Sequence, residues 1–209
     1  MSSLAWVAVV PVKRPSIAKT RLTGAGTATR RELATAFAAD TLAAVAGCAA
    51  ITSMVVVTDD EETSATARSL GALAVPDTPD AGLNPALRHG AEVARSVRHD
   101  CAVAALSSDL PALRPSELAA ALQACARYPR AFVCDAVGTG TTLLSAAPDH
   151  GLVPRFGPRS RARHRADGAV EITDAGLASL RRDVDTWADL WDAQRLGVGP
   201  ATAALLARG

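Results

Sequence analysis

Ala5-Trp-Val-Ala-Val-Val-Pro-Val-Lys-Arg-Pro-Ser-Ile-Ala-Lys-Thr-Arg-Leu22 joins a short apolar run to a loop rich in cations. Ala5–Pro11 reads as a buried strand, because it is valine-rich, unbroken by polar residues and closed by proline. The loop that follows, to about Thr29, carries Lys13, Lys19 and Arg21 away from the strand's exit. It is not a Walker A loop, since Ala18-Lys-Thr20 lacks the preceding glycines, and it lacks the G-x-G-x-x-G of a dinucleotide fold. Two readings remain. Lys13, Lys19 and Arg21, within nine residues, can hold a polyphosphate by side-chain charge, or they can form a solvated basic loop. The position directly after the first buried strand favours the polyphosphate.

Working outward, the chain alternates strand and helix. Thr29-Arg-Arg-Glu32 predicts a capping box that opens a helix through Gly47. Met54–Thr58 reads as a second strand, Glu61–Leu70 as a helix with Gly71 just past its end, and Leu73–Val75 as a short strand. Pro76–Gly82 is a loop by composition. Asn84-Pro85 fits an N-cap with proline at the first helical position, opening a helix to about Arg98. Ala102–Leu106 is the next strand, and Pro115 and Glu117 start the next helix, Glu117–Arg127. Strands at Ala131–Cys134 and Thr142–Leu144 flank a turn, Ala136–Gly140, and Arg155–Arg165 reads as basic and irregular. Thr186 with Asp189 caps the last clear helix, which ends near Leu196.

This order predicts an α/β fold with a mostly parallel, mixed sheet flanked by helices, as one domain over residues 1–209. In such folds the ligand lies outside the carboxyl ends of the strands, where Lys13, Asp59, Asp109 and Asp135 fall.

Two stretches bring acids to the same edge: Ser107-Ser-Asp-Leu-Pro111 and Arg181-Arg-Asp-Val-Asp-Thr186. Magnesium takes oxygen ligands and often uses one or two carboxylates plus substrate phosphates, which suits Asp109 and Asp185. Asp109 also suits a turn cap, and Asp185-Thr186 also suits ordinary helix-start electrostatics. Asp183 is the alternative acid of that pair. The segment Arg155–Arg165 holds five arginines. Its Gly157 and Ser160, flanked by Arg155, Arg159 and Arg161, offer an amide and a hydroxyl to a phosphate or carboxylate. The turn Gly138-Thr-Gly-Thr-Thr142 offers similar donors, although glycine alone would explain a tight hairpin there. His89, His99, His150 and His164 are scattered and read mostly as surface residues. No nucleophile-elbow sequence or catalytic cysteine context appears, so covalent catalysis is not expected.

Composition narrows the classes. With 22 Lys and Arg against 21 Asp and Glu, net charge is +1, far from the basic excess of a general nucleic-acid binder. Aromatics are only 3% of the chain, so the core must be built from Ala, Val and Leu, and base-stacking platforms are scarce. The four cysteines form no C-x-x-C pair and have no clustered histidines, so zinc is not expected and a reducing cytoplasm is. No stretch is long enough for a signal h-region or a membrane span, so a soluble protein without membrane or nucleic-acid partners is expected.

Taken in order, these motifs resemble one family. Val-Pro-Val-Lys13, Ala-Lys-Thr-Arg-Leu22, Val-Val-Thr-Asp-Asp60, Pro-Asp-Ala-Gly-Leu-Asn84 and Ser-Asp-Leu-Pro111 begin the series. Gly-Thr-Gly-Thr-Thr-Leu-Leu144, Arg-Phe-Gly157, Ser160-Arg-Ala-Arg-His164, Arg-Arg-Asp-Val-Asp-Thr186 and Leu-Gly-Val-Gly-Pro200 complete it. The chain resembles the guanylyltransferases of deazaflavin (coenzyme F-420) biosynthesis, which act on phosphoenolpyruvate or 2-phospho-L-lactate.

The resemblance implies a nucleotidyltransferase fold of the glycosyltransferase-A type and transfer of GMP from GTP with release of pyrophosphate. It implies Mg2+ held by Asp109 and Asp185, with Lys19 completing the catalytic set. Lys13, Lys19 and Arg21 would meet the GTP phosphates, and Asn84, with Gly82 and Leu83, would lie near the nucleoside. Thr142, Gly157 and Ser160 would hold the small phosphorylated carboxylic acid. Transfer of the product to the next pathway enzyme is a further implication. Where the related families often read Asp-Thr-Pro-Glu-Asp, this chain has Asp185-Thr-Trp-Ala-Asp189. The alanine- and arginine-rich composition points to a bacterial branch, for which phosphoenolpyruvate is the expected acceptor. The alternatives are a related nucleotidyltransferase on another phosphorylated acceptor and a non-catalytic nucleotide-binding module.

Overall fold

In the computed structural model, residues 4–13, 29–78 and 80–208 are described. Lys19 and Arg21 lie outside them. Seven strands form one sheet in the order β3-β2-β1-β4-β6-β5-β7. They are β1 (Trp6–Pro11), β2 (Ile51–Val57), β3 (Leu73–Val75), β4 (Ala102–Leu106), β5 (Arg130–Val133), β6 (Leu143–Ala146) and β7 (Val170–Glu171). β1 pairs in parallel with both β2 and β4, and β2 in parallel with β3. β6 runs antiparallel to β4 and β5, which makes the sheet mixed.

The helices are α1 (Arg30–Ala46), α2 (Glu61–Ser69), α3 (Leu83–Val97), α4 (Pro115–Cys125), α5 (Ser160–Ala166), α6 (Ala178–Arg181), α7 (Trp187–Leu196) and α8 (Pro200–Leu206). Side chains alternate across the pleat of β1 and so supply both faces of the sheet. Trp6, Ala8 and Val10 pack with Leu42 and Val45 of α1 and Leu118 and Leu122 of α4, while Val7 and Val9 pack with Ala86, Leu87 and Ala91 of α3. α1 is apolar on a second side as well. There Leu33 and Phe37 meet Val184, Leu190 of α7 and Leu205 of α8, so α7 and α8 form an outer layer over α1.

Both expected capping boxes are present. Thr29 Oγ1 accepts from the Glu32 amide and the Glu32 carboxylate accepts from the Thr29 amide; Thr186 and Asp189 repeat the arrangement at α7. Four expectations need correction. Residues 160–166 are a helix, because Ser160 and His164, four positions apart, are both buried while Arg163 and Arg165 face outward. Asn84 is not an N-cap: α3 starts one residue earlier, capped by Gly82 without a side-chain bond. α4 begins at the expected start signal Pro115 but spans Pro115–Cys125 and not Glu117–Arg127. A further helix, α8, follows Leu196, and Asp40 of α1 caps it from a distance, its Oδ1 and Oδ2 accepting from the amides of Ala201 (2.9 Å) and Thr202 (2.8 Å).

Candidate active site

The sheet order reverses between β1 and β4, the place where open α/β sheets leave a crevice outside the carboxyl ends of their strands. A cleft of about 200 Å³ lies there, floored by Pro11–Lys13 at the end of β1 and Leu106–Asp109 at the end of β4. Thr35 of α1, Leu83 and Leu87 of α3, and Phe156 complete its walls.

Lys13 therefore reaches the expected place, but its charge is already engaged. Its Nζ lies 2.9 Å from Asp77 Oδ2 and 3.5 Å from Asp80 Oδ1. The Asp77 carboxylate, as hydrogen-bond partner and as charge, holds the Lys13 ammonium above its ordinary pKa.

Asp109 lines the cleft, and the second acidic segment is brought to it by the backbone. The Val184 amide donates to the Asp109 carbonyl at 3.0 Å. Val184 is fully buried among α1 and α7, and it carries Asp183 on one side and Asp185 on the other. Asp185 sits one residue before the N-cap of α7, its amide directed at Asp189 Oδ2 (3.3 Å). The two acid-bearing segments thus converge. Asp109 with Asp183 or Asp185 offers hard oxygen donors beside a cleft lined by a lysine, a donor set that fits magnesium shared with phosphate oxygens. No group of three or more His, Cys, Asp or Glu able to hold a metal occurs among the described residues, so phosphate or water would supply the other ligands.

Of the expected acceptor residues, Ser160 is tied through Thr141 to His164, which is buried and not on the surface. His164 Nε2 accepts from the Arg155 amide at 2.9 Å, so the ring hydrogen must sit on Nδ1, where it donates to Thr141 Oγ1 at 2.9 Å. Ser160 Oγ donates to the same Thr141 oxygen at 3.1 Å. Burial pushes the imidazole down to about 4, so it is neutral near pH 7. This ring is a bracket between α5, residues 155–156 and the turn after β5. The four-residue spacing of Ser160 and His164 was the available signal, hidden among arginines.

Thr142 lies at the loop end of the β5–β6 hairpin. Its carbonyl accepts from Ser107 and its amide donates to Val133. Its hydroxyl is buried and has no partner among the described residues. Asp135, another expected strand-end acid, serves the preceding turn: its two oxygens accept from the amides of Thr139 and Gly140, each at 2.8 Å. A Cβ on Gly140 would lie 2.4 Å from Asp135 Oδ2, so glycine is required for that approach. Gly157 is exposed with φ of +112°, a conformation that only glycine adopts without strain, and it precedes Ser160 at the start of α5.

Two expected anion contacts are instead structural. Arg155 Nε bonds Asp167 Oδ2 at 2.6 Å. Arg161 bonds Glu171 (3.0 Å) and the Gly138 carbonyl (2.9 Å), and Arg165 also pairs with Glu171. Burial alone would push the Glu171 carboxyl up; the two guanidiniums bring it below its ordinary value. Asn84 has a comparable task. Its Oδ1 accepts from the Phe156 amide at 2.8 Å and its Nδ2 donates to the Phe156 carbonyl at 3.1 Å, so it fixes the part of the cleft wall that Phe156 forms.

This geometry has counterparts. The family model described as guanylyl transferase CofC like matches residues 6–200. The chain belongs to that family. Among curated relatives, a phosphoenolpyruvate guanylyltransferase of Thermomonospora curvata is 54% identical over 99% of this chain and 91% of its own. One of Streptomyces scabiei is 55% identical over 97% and 96%. Solved structures share the nucleotidyltransferase fold. A Desulfovibrio desulfuricans protein described as a nucleotide-diphospho-sugar transferase superposes with a TM-score of 0.71 at 20% identity, covering 97% of this chain and 94% of its own. A 4-diphosphocytidyl-2C-methyl-D-erythritol synthase superposes with a TM-score of 0.61 at 12% identity, covering 92% and 99%. The expected fold class is therefore the observed one, in a family of guanylyl transferases.

Proposed function

We propose that this protein transfers GMP from GTP to phosphoenolpyruvate and releases pyrophosphate, as a step in coenzyme F-420 biosynthesis. The observation that carries the reading is the Val184–Asp109 backbone bond, which unites the two acidic segments beside a switch-point cleft. The choice of acceptor draws on relatives 43–55% identical over at least 96% of the chain, all named phosphoenolpyruvate guanylyltransferase.

A phosphate oxygen of the acceptor attacks the α-phosphorus of GTP; the new P–O bond forms as the bond to the bridging oxygen breaks and pyrophosphate leaves. No protein base is needed, because a phosphate monoester is already largely ionised at neutral pH. The obstacle is charge. Two unit charges about 4 Å apart repel by roughly 4 kcal/mol at an effective dielectric of 20, and several such pairs are brought together. Asp109 and Asp185 would hold Mg2+, which when bound would supply Lewis-acid stabilisation of charge on the phosphates. Lys13, Lys19 and Arg21 would offset the remaining charge on the triphosphate, and Thr142, Gly157 and Ser160 would orient the acceptor in the pocket braced by His164. Asn84 serves by holding Phe156 against the nucleotide.

The four free cysteines are buried, and burial pushes the Cys125 thiol up to about 11, which fits structural thiols in a reducing cytoplasm. No described helix is long and apolar enough to cross a membrane. The product is a reactive phosphoanhydride, which makes direct transfer to the next pathway enzyme reasonable chemistry. Pyrophosphate release with phosphoenolpyruvate, 2-phospho-L-lactate and 3-phosphoglycerate, each with GTP and ATP, tests the reading. Release with GTP and phosphoenolpyruvate alone is expected. Nucleotide binding without release from any pair would make the protein a non-catalytic module.

A further inference from the structure

We propose that Thr41, a fully buried residue of α1, is the positioning residue for Asp109. The inference rests on the reading of Asp109 as a metal-holding acid and adds the device that aims it. Thr41 Oγ1 accepts from the Leu110 amide at 3.0 Å and lies 3.2 Å from the Ser108 carbonyl and 2.7 Å from the Phe37 carbonyl. Its one hydroxyl hydrogen serves the two carbonyls, and its lone pair takes the Leu110 N–H. A single oxygen on a core helix therefore ties the peptides on both sides of Asp109. The peptide carbonyl of Asp109 itself is held by Val184.

Together these bonds leave the Asp109 backbone little freedom in φ or ψ, and a side chain's allowed rotamers follow from its backbone. Leu110, fully buried, anchors the next position. α1 is in turn held where it carries Thr41, since the adjacent Asp40 caps α8. A carboxylate meant to share a small, geometrically demanding ion with phosphate needs such a fixed origin. Valine at position 41 would fill the same space but leave the Leu110 amide buried without its acceptor, and the loop would move to satisfy it.

The test is Mn2+ binding to the full chain, followed by water-proton relaxation, with thermal melting alongside. Thr41→Val is expected to weaken Mn2+ binding by roughly tenfold or more, as loss of a supporting contact around a metal ligand typically does. Thr41→Ser, which keeps the hydroxyl, is expected to bind as the wild type does. Phe132→Leu opens a cavity on the sheet face opposite α1 and lowers stability away from the Asp109 loop, and is expected to keep wild-type Mn2+ affinity. If Thr41→Val does not fold, Thr41→Cys, with its weaker hydrogen-bonding group, takes its place. Unchanged affinity in Thr41→Val or Thr41→Cys, or equal loss in Thr41→Ser, overturns the positioning role while leaving Asp109 as a ligand. Wild-type Mn2+ binding by Asp109→Asn overturns the ligand reading, and the positioning role with it.

Discussion

Lys13 Nζ rests 2.9 Å from Asp77 Oδ2, so the first cation after β1 is held by a buried carboxylate. The pair gives Lys13 two separable tasks. Lys13→Ala is expected to cost about 1–2 kcal/mol of stability, less than a fully buried pair would lose, because the ammonium is partly solvated. It is also expected to raise KM for GTP. Adding Asp77→Asn removes the stranded charge and should restore stability without restoring the KM. Denaturant midpoints and GTP saturation curves on the two variants and the wild type decide this. Recovery of both quantities together would reduce Lys13 to a structural role.

Asp109 is fixed by the Val184 amide and the Thr41 hydroxyl, while Asp185 is set by the capping box of α7. Asp109→Asn and Asp185→Asn are expected to lose roughly a hundredfold or more in turnover while melting near the wild-type temperature. Asp183→Asn should retain most activity. Pyrophosphate release at saturating magnesium measures all three. The opposite ranking of Asp183 and Asp185 would move the ligand two residues along the chain.

The buried imidazole of His164 links the stability of its bracket between Thr141 and Arg155 to pH. Its pKa falls from 6.5 to about 4 on folding because burial penalises the cation. The unfolded chain therefore binds more protons between those values, and stability rises with pH across the window. The contribution is complete above about 6.5 and lost as pH falls towards 4, a change of about 3 kcal/mol at most. His164→Gln cannot titrate, and its amide oxygen can still accept from the Arg155 amide. Subtracting its urea midpoints from those of the wild type between pH 4 and 7 should isolate the slope. A flat difference would mean that the ring is already accessible to protons in the folded state.

What the sequence made legible follows from which forces are local. β1 and β4 could be read because strands covered on both faces are continuous apolar runs, and α1 and α7 because each carries its own capping box. α8 escaped notice because its cap is Asp40, about 160 residues away and on another helix. α5 was obscured because exposed arginines dominate its composition while only Ser160 and His164 turn inward. Asn84 and Arg161 carried the right chemistry for ligands, yet their polar atoms are spent on Phe156 and Glu171, partners chosen by tertiary packing. Asp109 and the second acid were legible as types, but their meeting depends on Val184 filling the gap between α1 and α7.

The remote cap of α8 yields the last prediction. Asp40 accepts two backbone amides, and the adjacent Thr202 hydroxyl is fully buried without a partner among the described residues. Asp40→Ala strands the Ala201 and Thr202 amides at a helix start and should cost about 1–2 kcal/mol. Asp40→Asn, with one acceptor left, should fall between Asp40→Ala and the wild type. Thr202→Val removes a hydroxyl that makes no hydrogen bond while keeping the side-chain shape, and should be neutral or stabilising by up to about 1 kcal/mol. Urea unfolding of the three variants checks the ordering. A marked loss in Thr202→Val would mean that the hydroxyl meets an ordered water, and the cap would then be a network larger than Asp40 alone.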